Sequence, residues 1–185
     1  MTQGEVLAEV ARILNRLGID WCLVGSYATS AHGEPRTTHD IDIQIVMSEA
    51  DIVALVDALG EDYYADAESI VASFNAGLPH NLIHQETQDK IDLWPLKQEG
   101  YELTQFERRI RFMHLGEAAY VQTPEDAILS KLKWMQQAQS PRHLEDALGV
   151  VLATAERLDM PYLRKWAQHL GLSERLGQLL AEAAR

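Results

Sequence analysis

The chain has 185 residues, 46% of them hydrophobic, which suits one large domain or a small domain with an appendage. No apolar run approaches the roughly 20 residues of a spanning helix, and the opening residues show no basic stretch leading into an apolar one; no membrane segment and no secretory signal are expected, and the cytoplasm is the expected compartment. Lys and Arg number 16 against 28 Asp and Glu, a net charge of -12, which argues against extensive binding to duplex nucleic acid.

Thr2 followed by Glu5 is a capping-box pattern, and Val6, Val10, Leu14 and Leu17 recur near helical spacing until Gly18. Residues 21–24 read as a short buried strand that contains the single cysteine, Cys22, and ends at Gly25-Ser26. With no partner in the chain for a disulfide or thiolate cage, Cys22 is expected to be packing. A polar stretch with Gly33, Pro35 and two threonines follows, and then residues 39–46 alternate polar and apolar, the mark of a half-buried strand. Ser48 and Asp51 open a helix that stops at Gly60. Residues 66–74 read as a short helix, 81–85 and 90–94 as strands, 101–109 as a helix, and 111–115 and 119–122 as two short strands. Thr123-Pro124-Glu125-Asp126 combines an N-cap, a proline at the first helical position and early acids, announcing a helix through 137. Everything from Pro141 onward reads as helix, with breaks near 159–161 and 171–173.

The chemistry concentrates in the strands. Asp40 and Asp42 are two apart and therefore project from one face, while Ile41, Ile43 and Ile45 pack behind them. Two adjacent carboxylates repel unless a hard divalent cation takes their oxygens as ligands. Asp92 is a third acid between apolar neighbours in a later strand; if the two strands lie side by side, the three carboxylates converge and could hold two magnesium or manganese ions. Asp92 is then the expected general base or second metal ligand. Gly25 permits close backbone approach, a following helix N-terminus offers N–H donors to phosphate, and the Ser26 hydroxyl adds another. Tyr27 is a candidate for lining a nucleotide pocket. The competing reading makes the acids solvent-facing residues of an edge strand and Gly-Ser an ordinary turn.

Other polar groups carry weaker signals. Arg108, Arg109 and Arg111 cluster, followed by Lys131 and Lys133; solvated surface competes with a grip on a nucleotide or an RNA end. His32, His39, His80 and His84 have no zinc spacing. Trp94, Trp134 and Trp166 are expected in packing roles.

The run Leu23-Val24-Gly25-Ser26-Tyr27-Ala28, then Asp40-Ile41-Asp42-Ile43, then Ile91-Asp92-Leu93 resembles the DNA polymerase beta nucleotidyltransferase superfamily. A narrower likeness lies in residues 123–132 and 142–146, from Thr123-Pro124-Glu125-Asp126 to Lys131-Leu132 and from Arg142 to Asp146, which look like bacterial nucleotidyltransferase-like proteins of the AbiE toxin type. The resemblance implies an α/β (α+β) fold with a short mixed sheet flanked by helices, a catalytic domain over 1–122 and a helical domain over 123–185 completing a cleft. It implies transfer of a nucleotide from an NTP to a hydroxyl on tRNA, a protein or a small molecule, with Mg2+ or Mn2+, and in the toxin-like case a cognate antitoxin. In that group the lysine matching Lys131 contacts the triphosphate, and the acid matching Asp146 lies nearby. The gap between Gly-Ser and the Asp pair is long, leaving Arg36 and Thr37 in a loop that could touch nucleotide or acceptor. A surface ion pair between Arg142 and Asp146, four apart on a helix, competes with a site role, as does a wet polar face for Lys131. A non-catalytic nucleotide-binding or antitoxin-like module on the same fold is the alternative function.

Overall fold

The computed structural model describes residues 1–33, 38, 40–97, 100–137 and 141–185, with the backbone alone at 137. Its strands are β1 (Asp20–Leu23), β2 (Asp40–Val46), β3 (Tyr63–Tyr64), β4 (His80–His84), β5 (Lys90–Pro95), β6 (Ile110–His114) and β7 (Glu117–Val121). Its helices are α1 (Gln3–Leu17), α2 (Gly25–His32), α3 (Glu49–Leu59), α4 (Ala67–Asn75), α5 (Gly100–Glu107), α6 (Pro124–Gln137), α7 (Pro141–Thr154), α8 (Met160–His169) and α9 (Ser173–Ala183). Two compact units result, one of Met1–Leu23 with Thr38–Val121, the other of Val24–Thr37 with Gln122–Arg185.

The first unit is a mixed sheet in the order β3-β4-β5-β2-β1-β7-β6. Strand β2 runs parallel to β5 and antiparallel to β1, and β1 meets β7 in parallel. Alternation in β2 sorts its side chains by face: Ile41, Ile43 and Ile45 are at most 1% exposed, and Ile91, Leu93, Trp21 and Leu23 join them in the register. Burying each such isoleucine contributes roughly 2 kcal/mol. Helix α1 covers this apolar face with Val6, Leu7, Val10 and Leu14, and the Trp21 indole N–H donates to Asn15 Oδ1 at 3.1 Å. Helices α3 and α4 continue the layer. The two capping boxes form as the sequence predicts: the Thr2 amide donates to the Glu5 carboxylate at 2.7 Å and the Ser48 amide to that of Asp51 at 2.8 Å. Gly18, at φ 69°, closes α1 in the left-handed conformation that glycine adopts without strain.

The second unit is helical. Thr123 caps α6 by accepting the Asp126 amide at 3.2 Å and donating its hydroxyl to Asp126 Oδ2 at 2.7 Å. Asp126 is fully buried, and its other oxygen accepts from the Tyr162 hydroxyl at 2.7 Å. Glu125, also buried, accepts the Asp159 amide at 2.7 Å. The early acids of α6 thus tie the start of α8 to it. Helix α2 lies close against α7: a Cβ on Gly33 would stand 3.0 Å from the backbone of Gly149 and Val150.

The sequence offers no bounds for the helix expected at Gly25-Ser26; it is α2, Gly25–His32. Val24 at its N-cap supplies no side-chain hydrogen bond, so the capping signal that marks α1, α3 and α6 is missing. Strand β3, two residues long, is too short for alternation to register. Among the described residues no helix is long and apolar enough to cross a membrane.

Candidate active site

The face of the sheet opposite α1 carries the acids. Asp40 pairs in register with Lys90 and Asp42 with Asp92, on parallel neighbouring strands. Paired residues on adjacent strands point the same way and lie about 5 Å apart, while next-but-one residues along a strand lie about 7 Å apart. Asp40, Asp42 and Asp92 therefore share one face, together with Lys90, Gln44 and Trp94. Gln44 is covered by α5, whose Gln105 amide donates to it at 3.3 Å; Asp40 and Asp42 stay half-exposed.

Lys90 and Trp94 already engage the acids. The Lys90 ammonium lies 3.0 Å from Asp92 Oδ2, and the Trp94 indole N–H donates to Asp42 Oδ1 at 3.3 Å. Partial burial works against the lysine's charge, but the hydrogen bond to Asp92 and the charges of Asp92, Asp40 and Asp42 outweigh it and hold Lys90 above its ordinary value. One lysine thus senses all three carboxylates.

These side chains do not form a closed cage. Among the described residues no group of three or more His, Cys, Asp or Glu side chains is gathered closely enough to hold a metal ion. The expected convergence is one of face and register, with Asp92 turned to Lys90 and Asp42 to Trp94. The donor set nevertheless fits a hard cation in one respect. Asp92 Oδ1 is buried and has no hydrogen-bond partner, and a carboxylate oxygen held without a donor is costly unless a cation or water meets it.

The second unit holds the phosphate-binding candidates. Gly25 starts α2 at φ 62°, a left-handed conformation, and Ser26 and Tyr27 form its half-buried first turn. The Lys131 ammonium donates to Ser26 Oγ at 3.3 Å and lies 2.7 Å from Asp146 Oδ2. Only 5% of the Lys131 side chain and 6% of that of Asp146 are exposed. Lys131 is therefore not on a wet helix face, and Asp146 pairs with it across α6 and α7. Arg142, one turn earlier on α7, is exposed. A helix N-terminus, a hydroxyl and a buried ammonium stand together, which is the combination that binds anionic oxygens.

Arg36 and Thr37, and with them His39, lie outside the described residues. The arginine cluster divides: Arg109 pairs with Asp20 at 2.5 Å and packs over the rings of Phe106 and Tyr120, whereas Arg111 is exposed on β6. Cys22 is fully buried, as expected. Trp134 is 42% exposed rather than in the core. Lys90 and Trp94 escaped the sequence reading as partners of the acids, although the signal was present. Both stand two residues from Asp92 in the same strand and so must share its face.

No family profile matches the chain, and neither does any curated protein sequence. Solved structures do match in fold. The antibiotic-resistance factor ANT(2")-Ia is similar in its solution structure, with TM-score 0.59 and 14% identity over 95% of this chain and 97% of that one. Its crystal structure in complex with adenylyl-2"-tobramycin gives 0.61 and 14% over 91% and 98%. An antigenic nucleotidyltransferase-like protein from Paracoccidioides brasiliensis gives 0.54 and 17% over 97% and 92%. The chain accordingly has the mixed α/β fold of these nucleotidyltransferase structures.

Proposed function

We propose that the chain is a cytoplasmic, metal-dependent nucleotidyltransferase that moves a nucleoside monophosphate from an NTP to the hydroxyl of a small molecule and releases pyrophosphate. The observation that carries the reading is the register of Asp42 with Asp92, with Asp40 on the same face and one oxygen of Asp92 buried without a partner. Asp40, Asp42 and Asp92 are the residues that would hold Mg2+ or Mn2+. A bound divalent cation supplies neutralisation of the triphosphate and eases ionisation of the attacking hydroxyl. Asp92, with 14% of its side chain exposed, accepts the proton of that hydroxyl as it attacks the α-phosphorus. Gly25, Ser26 and Lys131 bind phosphate oxygens, Tyr27 stacks beside the nucleoside, and Asp146, 2.7 Å from the Lys131 ammonium, fixes that side chain in place. Positioning and charge neutralisation supply most of the rate.

A small-molecule acceptor is favoured over tRNA by the charge of -12, which repels a phosphate backbone. The fold likeness to a structure that holds adenylyl-2"-tobramycin supports the same choice. The likeness of residues 123–146 to AbiE-type proteins supports a toxin-like acceptor, tRNA or protein, with an antitoxin partner.

Incubation with each α-labelled NTP, Mg2+ or Mn2+, and separate panels of aminoglycosides, bulk tRNA and cell protein tests the proposal. Label on an aminoglycoside, lost in Asp40→Asn, is the expected result. Label on tRNA or protein reassigns the acceptor; no pyrophosphate release under any condition counts for a non-catalytic module.

A further inference from the structure

Lys90 is a cation aligned with the acids on their own face, and nothing in the proposed reaction uses it. Its register partner is Asp40, its ammonium lies 3.0 Å from Asp92 Oδ2, and the two side chains differ in freedom: 39% of Lys90 is exposed, against 14% of Asp92. Lys90 has solvent to move into, and Asp92 does not. The pair leaves Asp92 half-satisfied, because its second oxygen, Oδ1, is buried with no partner.

We propose that Lys90 is a positioning residue acting through Asp92, an internal counter-ion that fixes this carboxylate and sets how tightly the acid face takes a divalent cation. The inference rests on reading that face as a cation site. With the ammonium in place, one oxygen of Asp92 is taken and a positive charge stands next to any ion bound at the other. Loading requires the ammonium to swing toward solvent, so the lysine tunes affinity downward and keeps the acids from repelling one another before the nucleotide arrives. An ordinary strand-surface ion pair would have no such effect on metal binding.

The test is Mn2+ binding to the full chain, read from the loss of the free-ion electron paramagnetic resonance signal, for the wild type, Lys90→Met, Lys90→Gln, Lys90→Arg and Asp92→Asn. Removing the charge in Lys90→Met is expected to tighten Mn2+ binding roughly tenfold, by relief of like-charge repulsion at short range. Lys90→Gln, which keeps a polar side chain, should tighten it similarly and guards against a packing artefact in the methionine variant. Lys90→Arg should bind as the wild type does. Equal affinity in the wild type and both neutral variants, with Asp92→Asn weakened, overturns the role of Lys90 and leaves the cation site standing. Binding that is absent in every variant, or unchanged in Asp92→Asn, overturns both.

Discussion

The Lys131 ammonium sits 2.7 Å from the Asp146 carboxylate, and the two side chains are only 5% and 6% exposed. A buried pair of this kind owes its survival to mutual compensation, since each charge alone would carry a large desolvation penalty. That it also touches Ser26 at 3.3 Å couples a structural pair to the first turn of α2.

Breaking the pair from one side should therefore cost far more than replacing both. Lys131→Met, which takes the ammonium away from the buried Asp146 charge, is expected to lower stability by about 3 kcal/mol, and Lys131→Met with Asp146→Leu to recover most of that loss. Urea unfolding of the full chain measures both; equal losses in the single and double variants would mean that the pair is not the cause.

Gly25 enters α2 at φ 62°. A side chain there meets the left-handed penalty, so Gly25→Ala should destabilise the chain by about 1 kcal/mol. Thermal unfolding checks this, and an unchanged midpoint would show that the turn is not held in that conformation.

Asp126 accepts from both Thr123 and Tyr162 in a fully buried position. Tyr162→Phe removes one of these donors and should cost about 2 kcal/mol, because a hydrogen bond to a buried carboxylate is then lost. Urea midpoints of wild type and variant give the comparison; a difference below a few tenths of a kcal/mol would contradict it.

His32 is half-buried, and its Nε2 donates to the Gln122 carbonyl at 2.6 Å. Burial outweighs that hydrogen bond and the nearby Glu125, and it lowers the imidazole below its ordinary 6.5. The unfolded chain then binds more protons than the folded one below that value. The stability His32 contributes is complete above pH 6.5 and is lost as pH falls toward the lowered value. His80, also lowered chiefly by burial, adds to the same trend. Urea unfolding from pH 8 to 5 should show a decline that is shallower in His32→Gln; an identical slope in that variant would remove His32 from the account.

Much of this architecture is visible in the residues themselves. Capping boxes and the Thr123-Pro124 start work through contacts three residues apart, so α1, α3 and α6 begin where local chemistry puts them. Period-two alternation likewise marks β2 and β5 and puts Asp40, Asp42 and Asp92 on polar positions. Their shared face follows only from the parallel register of β2 with β5, a pairing across about fifty residues that no local pattern encodes. Lys131 shows the same limit: on its own helix it reads as polar surface, and its burial depends on α7 bringing Asp146 to it. Lys90 and Trp94 were legible in principle, being two residues from Asp92 on one strand.

The central claim is that the face bearing Asp40, Asp42 and Asp92 binds a cation and its nucleotide. Calorimetric titration of a non-hydrolysable NTP analogue, with and without Mg2+, into wild type and Asp42→Asn addresses it most directly. The account predicts Mg2+-dependent binding in the wild type and at least a tenfold weakening in a folded Asp42→Asn, on the scale expected for loss of a charged ligand. Binding that is independent of Mg2+, or equally tight in Asp42→Asn, would contradict it.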